Sequence, residues 1–305
     1  MRNSTGKSVI QTIGFTGIVL FLWIGVLGCA TVPDYTQKDV LSYLPQGYPL
    51  YARIDPQKHP ELLEQFAGEN FSNQNNIKII ADKTEMLYLA SSPQSLKTPG
   101  NKKNLGLSGI ALGDFPAFTT GIGLCFNKQW KKEKGDYGAY WQHTESNIQL
   151  AFRRGLLLFS SGNIITMLSS IDKPDSTVPF SGIWLKYKNT SMQIYINMQT
   201  KENMITNQNI PIHELVLALT KESEDTSRID GTITAADETK AAYLSAMFKF
   251  ILISYITQYT ESDRSEIVGN INITKQDNMV LFENMILKNK AIQNILEKNK
   301  PQSGD

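Results

Sequence analysis

The sequence predicts an α+β fold: antiparallel sheets with helices packed on one face, in two tandem similar units. Three observations predict it. Short apolar runs are joined in series by polar turns, the pattern of hairpins and so of an antiparallel sheet. Asp114 and Asp237 each stand where an N-cap would open a helix just after such a run. The order strand, connection, hairpin, capped helix, hairpin, helix occurs twice, with Gly109 and Gly231 at matching places before the two caps.

The first unit spans 47–175. Tyr48–Ile54 reads as a strand and Pro60–Ala67 as a short helix. Glu85–Ser91 is a second strand, followed by a polar loop rich in Pro, Gly, Asn and Lys. Leu105–Leu112 is a third. Asp114 then caps a helix with Pro116 near its start, which presents Phe118, Ile122 and Phe126 at four-residue spacing. The run Lys128-Gln129-Trp130-Lys131-Lys132-Glu133-Lys134 reads as the solvated end of that helix, its lysines complementing the dipole. The competing reading is a contact with anionic lipid headgroups or a glycan. Strands follow at Ala139–Thr144, Ile148–Arg153 and Leu156–Ser161, the first two joined by the turn Glu145-Ser146-Asn147. A short helix over Ile164–Ile171 closes the unit.

The second unit spans 176–300, with Pro174 and Pro179 marking the seam. Gly182–Tyr187 and Met192–Asn197 read as strands. Glu214–Thr220 and Arg228–Thr234 form a hairpin across an acidic loop. Asp237 caps a helix over Glu238–Gln258. Ile267–Thr274 and Met279–Leu287 form another hairpin about Gln276-Asp277-Asn278, and a last helix covers Ala291–Asn299. Residues 301–305 are a polar tail.

The chain has 305 residues, a net charge of +1, 41% hydrophobic and 10% aromatic content. That is the composition of a folded globular chain, and it gives no electrostatic reason to expect a nucleic-acid partner. Residues 1–28 form a secretory signal: Arg2 and Lys7 precede an apolar run from Val9 to Leu27. At roughly 28 Å as a helix the run also matches an uncleaved membrane anchor. Residues 29–46 read as a tether with a short helix near Lys38–Tyr43. There are two cysteines, Cys29 and Cys125. Cys125, in a Gly-Leu-Cys-Phe stretch, reads as a buried, inert thiol.

Val26-Leu27-Gly28-Cys29 resembles the lipobox of bacterial lipoproteins. The resemblance implies cleavage before Cys29, diacylglycerol on its sulfur and acylation of the new amino group. A single acyl chain holds a protein to a bilayer only marginally, whereas several hold it firmly. Ala30 in place of Asp implies sorting to the outer rather than the inner membrane under the rule known for diderm lipoproteins.

Residues with the chemistry of a catalyst are scattered. His59, His143 and His213 form no pair at helical spacing, and Leu217 stands where a second zinc-binding histidine would follow His213-Glu214. There is no Gly-x-Ser-x-Gly elbow and no phosphate-cradling glycine loop ending in Gly-Lys-Ser/Thr. Met192, Met198 and Met204 are too sparse for a copper site. No metal or other cofactor is expected. The helix Glu238–Gln258 stands out, because its residues are apolar almost all round, with only Ser245 and Lys249 as an early polar stripe. Such a helix is buried or meets a partner or lipid. Phe248, Ile251, Leu252 and Tyr255 are the candidate contacts.

Gly113-Asp114-Phe115-Pro116 through Trp130, then Tyr140-Trp141, Leu156–Ser161 and Tyr48–Asp55 resemble uncharacterised spirochaete-type lipoproteins. That group brings no activity, catalytic residue or cofactor. The expectation is therefore a lipid-anchored envelope lipoprotein with a non-catalytic binding or scaffold role, reaching the membrane through Cys29 and touching a protein or lipid partner. The alternative is a carrier of lipid or another hydrophobic ligand. A third reading, an envelope-polymer hydrolase, would need carboxylates such as Asp114, Asp136 or Glu145 to converge.

Overall fold

Runs such as Met86-Leu87-Tyr88-Leu89-Ala90 and Leu156-Leu157-Leu158-Phe159 are apolar at every position. A strand with no polar side has to be covered on both faces, and the structure meets that demand. The computed structural model describes residues 37–60, 82–92, 106–115, 124, 127–153, 155–162, 164–172, 182–199, 211–256 and 271–288, with 37–39, 251–256 and 287–288 described by backbone alone.

In chain order these residues form α1 (Gln37–Ser42), β1 (Leu50–Ile54), β2 (Thr84–Ser91), β3 (Leu107–Gly113), β4 (Trp130–Gly135), β5 (Gly138–His143), β6 (Gln149–Arg153) and β7 (Leu156–Ser160). Then come α2 (Ile164–Asp172), α3 (Ile183–Lys186), β8 (Met192–Asn197), β9 (Ile212–Lys221), β10 (Thr226–Ala235), α4 (Glu238–Ile256), β11 (Asn272–Gln276) and β12 (Met279–Lys288). All the strands belong to one twelve-stranded sheet, ordered β11-β12-β10-β9-β8-β1-β2-β3-β7-β6-β5-β4. Every neighbouring pair is antiparallel.

Register separates the two faces. Ala90, Tyr51, Tyr195, Val216 and Thr232 lie side by side across five strands. On that face sits the largest core cluster, with Val40, Leu41 and Leu44 around α1, Ile164, Met167 and Leu168 of α2, and Trp184 of α3. Tyr187, just after α3, reaches Thr232 with a hydroxyl–hydroxyl contact of 3.0 Å. The next row reads Phe159, Gly109, Leu89, Ala52, Ile194, Leu217, Gly231, Phe282. It points to the opposite face, where α4 packs over β10, β11 and β12. Helices therefore cover both faces, not one as the sequence suggests. The central strands lack the polar alternation that would let one face stay wet.

That second row has a regularity of its own. Counting outward from the β1–β8 pair, a glycine is third and a phenylalanine fourth in both directions. A Cβ on Gly109 would meet the Phe159 ring at 2.2 Å, and one on Gly231 would meet the Phe282 ring at 2.1 Å. The outer end of each ring occupies the space a side chain would need, which only glycine leaves open.

Two local expectations are corrected. Gly182–Tyr187 contains a short helix, α3, not a strand. Trp184 and Tyr187 are both buried at helical spacing, while Leu185 between them is exposed. The Lys128–Lys134 run belongs largely to β4, an edge strand, not to a helix end. Trp130 packs edge-on against His143 of β5 at 4.9 Å, and Lys132 lies 5.7 Å from the centre of the Trp141 ring. Exposed lysines on an outermost strand discourage further strands from adding. The body begins earlier than Tyr48, since Val40, Leu41 and Leu44 are fully or almost fully buried. The helix expected at Pro60–Ala67 apart from Pro60, that at Ala291–Asn299, most of that after Asp114, and Cys29 and Cys125 lie outside the described residues.

Candidate functional site

The outer surface of α4 is the candidate site. Asp237 starts the helix: the Lys240 backbone N–H donates to its Oδ1 at 2.8 Å, and the Ala241 N–H donates to its carbonyl oxygen at 3.0 Å. The N–H bond to the carboxylate, with the Lys240 charge behind it, holds the Asp237 carboxyl below its ordinary value. Glu238 is held low by its ion pair with Lys275 of β11. Asp237 caps the helix and Glu238 opens its first turn, where the helix dipole favours negative charge. These groups titrate lower in the folded than in the unfolded chain. Their contribution is thus complete above the ordinary carboxylate range and lost as pH falls through the depressed values. Asp237→Ala should lower the melting temperature by about 2–3 °C at neutral pH and leave less further loss on acidification, measurable by thermal unfolding from pH 7 to pH 3.

The inner side of α4 is built from small and large residues in turn. Ala241, Leu244 and Ser245 are buried, and Phe248 lies half-buried on the Phe282 ring, with centroids 4.8 Å apart. Ala241 and Ser245 let the backbone approach the sheet, and Leu244 and Phe248 fill the space beside it. Ser245 thus points inward, while Lys249, read with it as one polar stripe, is exposed. Phe248, expected as a contact residue, belongs to this packed side. The side chains of Ile251, Leu252 and Tyr255 lie outside the described residues.

The outward side carries Tyr243, Met247 and Phe250, which are 64%, 37% and 73% exposed. They follow one another at four- and three-residue spacing, so they form one stripe. Lys240 and Lys249 are exposed as well. Sequence reasoning missed this stripe because the whole helix is apolar. Only the position of the sheet tells which apolar side is spare.

The chemically suggestive residues do not converge. Asp136 lies in the β4–β5 turn and Glu145 in the β5–β6 turn, at opposite ends of β5. The intervening strand separates them by roughly 20 Å, well beyond the spacing of paired catalytic carboxylates. Asp114 is exposed just beyond β3, three strand positions from β5. His59 is buried, with Nε2 2.8 Å from Ser191 Oγ. Ser191 in turn donates to the Leu219 carbonyl oxygen at 2.8 Å, so its proton is committed to the backbone. His143 accepts from the Ser146 N–H through Nδ1 at 3.2 Å, closing a turn. His213 is half-buried on β9. Among the described residues no three His, Cys, Asp or Glu side chains are placed to hold a metal ion. Among the same residues no helix is long and apolar enough to cross a membrane.

No protein-family model matches the chain, and no curated protein matches it. Solved structures do. Crystal form I of TP0453, a spirochaete (Treponema) protein, is similar with a TM-score of 0.57 at 17% identity, over 85% of this chain and 97% of that one. Form III gives 0.56 at 15% identity, over 85% and 98%. Form IV gives 0.57 at 16%, over 85% and 96%. At such identities the likeness is one of fold. The chain has a fold like that of a spirochaete protein, in keeping with the spirochaete-type resemblance of its sequence.

Proposed function

We propose that this protein is a lipid-anchored envelope lipoprotein with a non-catalytic binding or scaffold role, and that its outward α4 stripe contacts the bilayer. The carrying observation is the exposure of Tyr243, Met247 and Phe250 on a helix whose other side is fixed to the sheet. Aromatic residues flanked by lysines suit a membrane–water interface. An acylated Cys29 would also keep the body close to lipid, since the chain from Cys29 to Gln37 spans at most roughly 28 Å. Phe248 on Phe282 fills the space under this part of the helix, which favours a surface contact over a ligand cavity there. Ala30 supports the outer membrane as the address. The scattered carboxylates and histidines support a role without catalysis.

We also read residues 47–175 and 176–300 as tandem similar units. The glycine and phenylalanine found at equal distances on either side of the β1–β8 pair support this reading.

Cys29→Ser tests the anchor. The variant is expected to move from the detergent-soluble membrane fraction to the aqueous one, and to lose acyl mass at its N-terminus. Equal retention of variant and parent would refute lipid anchoring.

A further inference from the structure

β4 is an outermost strand, and its outer side carries unused backbone groups. The Gln129 carbonyl oxygen accepts from the Thr144 N–H at 2.8 Å, so the backbone of Gln129 faces β5. In an antiparallel pair the next residue faces away and the one after faces back. Lys131, Glu133 and Gly135 therefore face β5, while Trp130, Lys132 and Lys134 turn their backbone groups outward. The Trp130 N–H bends back to the Asn127 carbonyl oxygen at 3.0 Å. Among the described residues no hydrogen bond reaches the Trp130 carbonyl oxygen, or the N–H and C=O groups of Lys132 and Lys134.

The side chains of the same three residues share one face of the strand, since side chains alternate. Trp130 packs on His143 there, and Lys132 on Trp141. Lys132 and Lys134 are exposed, and neither makes an ion pair among the described residues. Glu133 lies on the opposite face and is taken by Lys131 at 2.7 Å. Exposed Lys128 and Asp136 stand in the turns at the two ends of the strand. The free edge is thus lined by two uncompensated cations, roughly 7 Å apart.

Lysines on an edge turn away neutral and basic strands. They do not turn away an acidic one, because opposite charges directly across a ladder attract. A second copy does not fit this edge. β4 against β4 would bring these lysines together. β11, the other outermost strand, reads Asn272, Ile273, Thr274, Lys275, Gln276 and offers no acid.

We propose that β4 takes up an acidic extended segment of a partner protein as a further antiparallel strand. Its acids lie opposite Lys132 and Lys134, and an apolar residue lies opposite Trp130. The site uses no residue of α4, so this idea and the bilayer contact can fail separately.

The probe is the peptide acetyl-Thr-Glu-Thr-Glu-Thr-Val-Thr-Ser-amide, titrated into the full-length ¹⁵N-labelled protein in non-ionic detergent. Saturable binding is expected, with the Lys132 and Lys134 amides shifting and gaining protection from hydrogen exchange. The Lys131 and Glu133 amides, already bonded to β5, should gain little. Lys132→Glu combined with Lys134→Glu should weaken the peptide by about tenfold or more, and should bind the peptide with both glutamates replaced by lysine. Both positions are exposed, so the double variant should keep the parent's melting temperature. N-methylation of the two glutamate amides keeps the charge, removes the strand donors and should abolish binding. Equal binding of the N-methylated peptide, or protection without alternation along β4, would leave charge alone at work and overturn strand addition. So would binding to anionic vesicles that the double variant loses, with no response to the peptide, since the lysines would then serve a lipid surface.

Discussion

Gly231→Ala is expected to destabilise the fold by about 3 kcal/mol, at the upper end of what overpacking a core costs. The added methyl would fall 2.1 Å from Phe282 Cζ and 2.6 Å from the Val216 carbonyl oxygen. A ring can tilt away, but a backbone oxygen in a paired strand cannot. Phe282→Leu should therefore recover only part of the loss. Gly109→Ala gives the useful contrast. There the nearest atoms are all in the Phe159 ring, the closest at 2.2 Å. It should cost about 1–3 kcal/mol alone, and Phe159→Leu should recover most of it. Urea midpoints of the four single and two double variants measure both couplings. Equal rescue at the two sites would mean that the Val216 oxygen gives way.

The second large effect separates the two sides of α4. Leu244→Ala removes a side chain buried against β10 and β12 and should cost about 2–5 kcal/mol. Tyr243→Ser and Phe250→Ser remove larger side chains yet should each stay within about 0.5 kcal/mol of the parent, because those rings touch little in the folded body. The order reverses for membrane contact. In a Cys29→Ser background, the Tyr243→Ser, Met247→Ser, Phe250→Ser triple variant should lose most of its residual binding to anionic phospholipid vesicles. A destabilised but folded Leu244→Ala protein should keep it. Unchanged sedimentation of the triple variant with vesicles would remove the bilayer contact from the proposal.

Much of the fold was legible because its signals are local. The β9–β10 hairpin shows itself by apolar runs either side of Glu222–Thr226, and β11–β12 by Gln276-Asp277-Asn278, where Asp277 adopts φ 51°. Asp237 is read directly as a cap, since its neighbours in sequence are its partners in space. What failed depended on distant parts. Trp184 and Tyr187 become buried only because Tyr195 and Thr232 lie beneath them. Lysines 131, 132 and 134 suit a helix end as well as a strand until β5 supplies a partner. The spare side of α4 was invisible for the same reason: Tyr243 and Leu244 are equally apolar, and only the sheet distinguishes them.

Pairing between β1 and β8 joins residues such as Arg53 and Gln193, which are 140 residues apart. Most other ladders link neighbours in the chain, so hairpins on either flank can assemble early from nearby pieces. The central ladder has to wait for a long loop to close, and loop closure delays contacts of that kind. In synthesis from the N-terminus, β1 is made well before β8. Until then one edge of β1 stays open, the point in biogenesis at which the growing chain is most exposed to pairing with a stranger.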